Sequence, residues 1–242
     1  MRRVAIFTEG LSELIFVRNF LMKVIDNAKL SFNCLTLSGE NLLNTPYRYG
    51  SSKAKVHFLI INTQNDSRVV SAIKERGDSL FRNGFERIIG LRDLYCEAYD
   101  KRSAGKINAE VSKEIMEGIN AQIEAMSNPD AIAIYFSIME LEAWFLAMYN
   151  IFGKMHPKLK VSYIEKKLRF NLMFIDPQKE FYKPANIIIK IWSLCGMKYK
   201  KSADDIEMMT SVMERADFET ATRDGRCESF DRFHKVLLTY NS

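Results

Sequence analysis

The segment Ile134-Tyr135-Phe136-Ser137-Ile138-Met139-Glu140-Leu141-Glu142-Ala143-Trp144 decides how this chain is read. The apolar run from Ala131 to Ile138 predicts a strand buried on both faces. It passes directly into two carboxylates, Glu140 and Glu142, spaced i, i+2, and then into an apolar helix from Ala143 to Tyr149. Desolvating a carboxylate without a partner is expensive, so positive charge is expected beside this pair, and a divalent metal is one candidate. The alternative is a helix N-terminus, where glutamate is favoured by the macrodipole.

Working outward, strands and helices alternate through about residue 150. Arg3 to Phe7 predicts a short buried strand ending in Thr8-Glu9-Gly10. A helix follows in which Leu14, Val17, Leu21 and Val24 share a face and Ser12 is a candidate cap. Phe32 to Leu37 predicts a second strand, and Ser38 to Lys55, with Gly39, Pro46 and Gly50, an irregular loop. Val56 to Asn62 is a strong strand ending near Asp66, and Ser67 to Phe81 a helix. Ile88 to Leu91 is a short strand running into Arg92 and Asp93. Cys96 to Lys106 is expected to be a mobile polar loop over the site, and Ala109 to Met126 a helix. Asn128-Pro129-Asp130 then turns the chain into the Ala131 strand. This alternation predicts an α/β fold with a mainly parallel sheet flanked by helices. Beyond residue 150 only helices are expected, at Ser162–Phe170, Ala185–Leu194, Ala203–Arg215 and Ser229–Leu238. The expected organisation is an α/β domain over 1–150 with a helical appendage over 151–242 packed on it.

Composition narrows the class. The four cysteines, Cys34, Cys96, Cys195 and Cys227, form no CxxC pair, which argues against a zinc site or a disulfide framework and suits a reducing cytosol. No apolar run reaches the roughly 18 residues of a membrane span, and Glu9 interrupts the N-terminal apolar run too early for a signal peptide. A soluble, cytoplasmic protein is expected. Between Ile151 and Lys201, eleven lysines and Arg169 face only Glu165, Asp176 and Glu180. That segment has a net charge of +9, leaving −4 for the rest of a chain whose total is +5. The asymmetry points to a basic face for a polyanion beside an acidic site, with a solvated helical surface as the plainer reading.

The acids form the informative pattern. Glu9, Asp93 and the Glu140/Glu142 pair each follow a different predicted strand, and in a parallel sheet those ends lie on one edge. Glu13, four residues beyond Glu9, is placed to face the same crevice. Carboxylates gathered in this way repel one another unless a cation neutralises them, and Mg²⁺ or Mn²⁺ prefers such oxygen ligands. By contrast, His57, His156 and His234 are scattered, Trp144 and Trp192 read as core, and neither a Walker A motif nor G-x-S-x-G is present. Gly10 stands at a strand-to-helix turn, where a positive φ or a close phosphate approach is expected.

The motif T-E-G-L-S-E, Thr8 to Glu13, resembles the first motif of Toprim domains, the metal-binding catalytic domains of topoisomerases, primases and overcoming-lysogenization-defect nucleases. Together with G-L-R-D-L-Y-C (Gly90 to Cys96) and Y-F-S-I-M-E-L-E-A-W-F-L (Tyr135 to Leu146), it resembles an uncharacterised bacterial Toprim-like family. Members of that family commonly end with a segment like Arg226 to Phe233. The resemblance spans most of the chain, with two departures. Tyr95 stands where Toprim domains carry the second acid of D-x-D, leaving Glu97 or Asp100 as substitutes, and Met139 precedes Glu140 where the family tends to have histidine.

The resemblance implies a metal-dependent nuclease cutting a DNA or RNA phosphodiester, in an antiphage or mobile-element setting. Glu9, Asp93 and Glu140 would be its catalytic acids, and Glu9, Glu13, Asp93, Glu140 and Glu142 its Mg²⁺ or Mn²⁺ ligands. Arg92 beside the acids, and Lys158, Lys160, Lys166, Lys167 and Arg169 in the basic stretch, are the candidate phosphate contacts. Such nucleases are often encoded beside an ABC- or AAA-type ATPase. Lacking a P-loop, this chain would take any nucleotide dependence from that partner. The alternative is a non-catalytic subunit that keeps the scaffold, for which the missing second acid is the main support.

Overall fold

The first expected strand becomes the middle of the sheet. In the computed structural model, which describes residues 1–50, 53–65 and 67–241, the chain runs β1 (Arg2–Thr8), α1 (Leu11–Val24), β2 (Leu30–Ser38), β3 (Asn41–Tyr49), β4 (Val56–Asn62), α2 (Arg68–Arg82), β5 (Arg87–Asp93), α3 (Glu97–Ser103), α4 (Ala109–Glu124) and β6 (Ile132–Ser137). It continues wholly in helices: α5 (Glu142–Ala147), α6 (Asn150–Met155), α7 (Val161–Leu168), α8 (Pro177–Glu180), α9 (Pro184–Ser193), α10 (Ala203–Ser211), α11 (Arg215–Thr222) and α12 (Glu228–Leu238).

The six strands lie in the order β3-β2-β4-β1-β5-β6. β1 pairs in parallel with β4 and β5, β2 with β4 and β5 with β6; only the β2–β3 pair is antiparallel. The α/β class and the mainly parallel sheet are therefore as expected, with helices on both faces and a helical C-terminal region. From β1 the chain crosses to β2, turns out to the edge strand β3, comes back to β4 beside β1, and then moves to the other side for β5 and β6. The topological switch falls beside β1, where open α/β sheets place their crevices. Alternation along β1 feeds two cores. Val4 and Ile6 pack with α1 and the C-terminal helices, while Ala5 and Phe7 pack with residues of α2 and α4.

Several local expectations change. Most of the loop expected over 38–55 is a strand: Gly39, with φ +59, turns β2 into β3, while residues 51 and 52 lie outside the described residues. The interrupted apolar pattern of β3, with Pro46 inside it, is that of an edge strand whose side chains are half or fully exposed. Residues 96–106 hold helix α3, anchored by the fully buried Tyr99, and so do not form a mobile loop. β6 is the opposite edge of the sheet, so the strand expected to be fully buried is only half-buried at Ala133, Ile134 and Tyr135. The continuous apolar pattern misled because both faces of β6 are covered while its outer edge is not. Ser12 does not cap α1, whose N-cap is Gly10 with no side-chain bond. Gly90 serves packing: a Cβ there would come within 2.5 Å of Ile134 Cδ1 and 3.1 Å of Val69 Cγ1, so side chains of β6 and α2 settle directly over the glycine.

Candidate functional site

The carboxyl ends of the neighbouring strands β1, β5 and β6 deliver their acids to one place. Glu9, the residue after β1, accepts a hydrogen bond from the Asp93 backbone N–H at 2.9 Å, which ties it to the end of β5. Asp93 is buried, its Oδ1 accepting from Ser137 Oγ at 2.5 Å and from the Leu141 N–H at 2.9 Å. The same carboxylate thus joins β5, β6 and the entry to α5. After β6 the backbone turns sharply at Met139, whose φ of +65 lies in the left-handed region that disfavours a side chain. This turn, with no extended continuation of the strand, brings Glu140 and Glu142 to the same side. Glu142 opens α5 as a fully buried residue and accepts from Tyr199 Oη at 2.6 Å. Glu140 accepts from the Ala185 N–H at 3.0 Å, in the first turn of α9, where the helix dipole favours negative charge.

The sequence gives no sign of what occupies the middle. Lys201 Nζ lies 3.1 Å from Glu142 Oε2, 3.7 Å from Asp93 Oδ2 and 4.0 Å from Glu140 Oε1. Its backbone is also left-handed, at φ +56, and Asp205 Oδ2 holds it there by accepting from the N–H groups of Lys200 and Ser202. Among the described residues, Gln64, Met139 and Lys201 are non-glycine residues with positive φ at or beside this edge. Such strain gathers where surrounding structure has a use for it.

Several of the acids remain costly to ionise despite the Lys201 ammonium. Burial raises the Glu13 carboxyl above its ordinary value, with Glu142 adding to the rise and Lys201 opposing it. Asp93 is pushed well above its ordinary value by burial and then by Glu13, Glu9 and Glu142, again against Lys201. Glu140 is raised by burial and by Glu142. For Lys201, burial lowers the ammonium, but Asp93, Glu142, Glu13 and Glu140 together carry it above its ordinary value. Ionising all of these buried carboxyls together is therefore costly, a cost that a retained proton or a bound cation relieves.

All five expected acids are thus brought to one edge, but the expected substitutes for the second acid of D-x-D are not. Glu97 pairs with Lys101 at 2.6 Å on the exposed side of α3, and Asp100 accepts from Tyr182 Oη at 2.5 Å. Asp66 lies outside the described residues. Gly10 is extended, at φ −140, so its role is room: a Cβ would come within 2.9 Å of Glu13 Oε2. Arg92 is buried, with Nε donating to the Asp93 carbonyl at 3.4 Å. Lys158, Lys160, Lys166, Lys167 and Arg169 are exposed on and around α7, which packs on α9 and so lies one helix away from Glu140. Lys154, in the same basic stretch, is committed to Asp217 and Glu214 at 2.7 and 2.9 Å. The residues that the sequence did not single out are Ser137, Tyr199, Lys201 and Lys183. Lys183 is exposed at the site's margin over the Tyr95 ring.

The model of one protein family matches residues 8–238, from the end of β1 to the end of α12. The chain belongs to that family, described as a domain of unknown function (DUF4276). No curated protein and no solved structure matches it. The matched span of this DUF4276 chain includes every acid of the site together with Lys201. No helix among the described residues is long and apolar enough to cross a membrane.

Proposed function

We propose that the protein is a metal-dependent phosphodiester hydrolase acting on a polynucleotide, with the acidic end of β1, β5 and β6 as its centre. The observation that carries this reading is the gathering of Glu13, Asp93, Glu140 and Glu142 around the Lys201 ammonium, with Asp93 and Glu142 buried. The fit to a hard divalent ion rests on donor chemistry: Glu9, Glu13, Asp93, Glu140 and Glu142 offer only oxygen, as Mg²⁺ and Mn²⁺ prefer. Among the described residues no three acidic, histidine or cysteine groups are arranged to hold an ion as they stand. Lys201 spans three of the carboxylates, so ligation requires its ammonium to swing aside.

When bound, the ion would supply charge neutralisation and a more acidic water. The chain's own residues do the rest. Ser137 and the Leu141 N–H fix Asp93, the Asp93 N–H fixes Glu9, and Tyr199 fixes Glu142, so these three carboxylates are oriented before any ligand arrives. Lys183 at the margin, and the exposed cations of α7, supply phosphate contacts that position a polynucleotide without reading its sequence. The resemblance to Toprim domains supports the same reading; a cytoplasmic setting, with which four free cysteines are consistent, and an ATPase partner are part of the proposal. A second reading, a non-catalytic scaffold, is favoured by Lys201 itself, since an ammonium already paired with Asp93, Glu140 and Glu142 makes the core self-sufficient.

Titration calorimetry with Mn²⁺, alongside Mn²⁺-dependent cleavage of DNA and RNA, separates the two. The nuclease reading expects binding that drops at least about tenfold, roughly 1.4 kcal/mol, in Glu9→Gln, with cleavage lost in Glu9→Gln and Glu140→Gln. Equal Mn²⁺ affinity and no cleavage by the wild type would leave the scaffold.

A further inference from the structure

The two edges of the sheet are finished differently. β3 has two of the devices by which edge strands avoid unwanted pairing: Pro46 within it and a register irregularity against β2 between Asn33 and Leu35. β6, Ile-Ala-Ile-Tyr-Phe-Ser, carries no proline, no charge and no irregularity in its pairing with β5. Its outer edge instead forms the floor of a groove of about 580 Å³ lined by the four consecutive residues Ala133, Ile134, Tyr135 and Phe136.

The hydrogen-bond phase fixes which backbone groups face the groove. The Leu94 N–H donates to the Ser137 carbonyl at 2.9 Å, one residue beyond the Asp93–Ser137 register pair. In a parallel ladder this assigns Ser137, Tyr135 and Ala133 to β5 and turns the N–H and C=O of Ile134 and Phe136 outward. No described residue hydrogen-bonds to those outward groups. The walls differ in chemistry. On the face where Ile134 and Phe136 pack, α4 and the segment before it present Ile107 and Met116. On the face where Tyr135 packs against Phe233 of α12, the wall is polar, with Gln178, Ser229 and the paired Glu228 and Arg232.

We propose that β6 is a docking edge for β-strand addition by an extended segment of another polypeptide. In that segment apolar residues facing α4 alternate with polar residues facing α8 and α12. An added strand satisfies the outward amides of Ile134 and Phe136, and its period of two matches one apolar and one polar wall. The raised walls favour a single narrow strand over a second copy of this chain, whose own β6 lies between the same walls.

Backbone amide exchange by NMR, on the full chain with a short synthetic peptide alternating valine and threonine, tests this. The expected result is exchange slowed at least about tenfold at Ile134 and Phe136, with Ala133 and Tyr135, already bonded to β5, unchanged. A peptide of the same composition with its valines in one block should have no such effect. Ile134→Pro, which removes one outward N–H, should abolish the response. Met116→Glu, on the α4 wall and independent of strand geometry, should weaken binding at least about tenfold even if the proline variant fails to fold. Three outcomes would each overturn the proposal: no slowing at either amide with the alternating peptide, an equal response to both peptides, or protection in the free protein that grows with its concentration as a dimer forms.

Discussion

Lys201 is the residue on which the site's energetics turn. Its ammonium lies within 4.0 Å of three carboxylates, one of them fully buried, and breaking a buried pair from one side is far costlier than the pair is worth. Lys201→Met should therefore destabilise the fold by about 2–3 kcal/mol. This is below the 3–5 of a fully buried pair because about a third of the lysine side chain meets solvent. Mn²⁺ should then raise the melting temperature of the variant more than that of the wild type, because the ion replaces the lost charge. An unchanged melting temperature without metal would show that Lys201 is not what holds the acids together. The acids also set a pH dependence. Glu13, Asp93 and Glu140 bind a proton more tightly folded than unfolded, since each is raised above its ordinary value. Their contribution is most favourable at low pH and is lost as pH rises from the ordinary carboxylate value of about 4 through the raised folded values. Lys201→Met should steepen that loss, and thermal melts across pH 5 to about 8 would reveal it.

At the scale of elements, Asp93 doubles as a brace. Its Oδ1 accepts from Ser137 of β6 and from the Leu141 N–H that opens the turn into α5, as an N-cap side chain accepts from a helix's first amides. Asp93→Asn keeps an oxygen for both donors, whereas Asp93→Ala leaves them unsatisfied. The alanine variant should lose about 1–2 kcal/mol relative to the asparagine variant, while both lose metal binding equally. Equal stability of the two, measured by urea unfolding, would remove the bracing role. This dual duty explains what the sequence could and could not show. That Glu9, Asp93 and Glu140 share an edge was legible, because strand periodicity and parallel connections determine where strand ends lie. The route into α5 was not, because an i, i+2 pair reaches one site from a strand or through a left-handed turn, and Met139 is a residue that nothing local marks for positive φ. Nor was Lys201. The Ser202–Asp205 capping box announces the start of α10, but its approach to Glu142, 59 residues earlier in the chain, is a tertiary fact without a local signal. β3 was hidden for a similar reason, since an exposed edge strand with proline has the composition of a loop.

At the scale of the whole molecule, the C-terminal helices close the same core that the sheet begins. Trp144 lies among Phe16, Phe230 and Phe233 at centroid distances of 5.3–5.5 Å, and Phe20 stacks edge-on against Phe218 at 4.7 Å. Val4 of β1 and Tyr240 after α12 belong to one continuous apolar cluster. The site repeats this dependence, since Tyr199, Lys201 and the first turn of α9 hold acids supplied by the sheet. Dividing the chain near residue 150 would strip Phe16, Phe20 and Trp144 of their covering rings. Each such loss is comparable to truncating a buried aromatic side chain, about 3–5 kcal/mol, against a total stability of about 5–15. A fragment spanning residues 1–150 should accordingly lack a cooperative thermal transition by circular dichroism, while the full chain melts in one step. A fragment that melts cooperatively on its own would show that the sheet carries a sufficient core. In that case the lysine and tyrosine contributed to the acidic edge by the later helices would be additions to a domain already complete, and the balance of charge at the site would have to be reckoned without them.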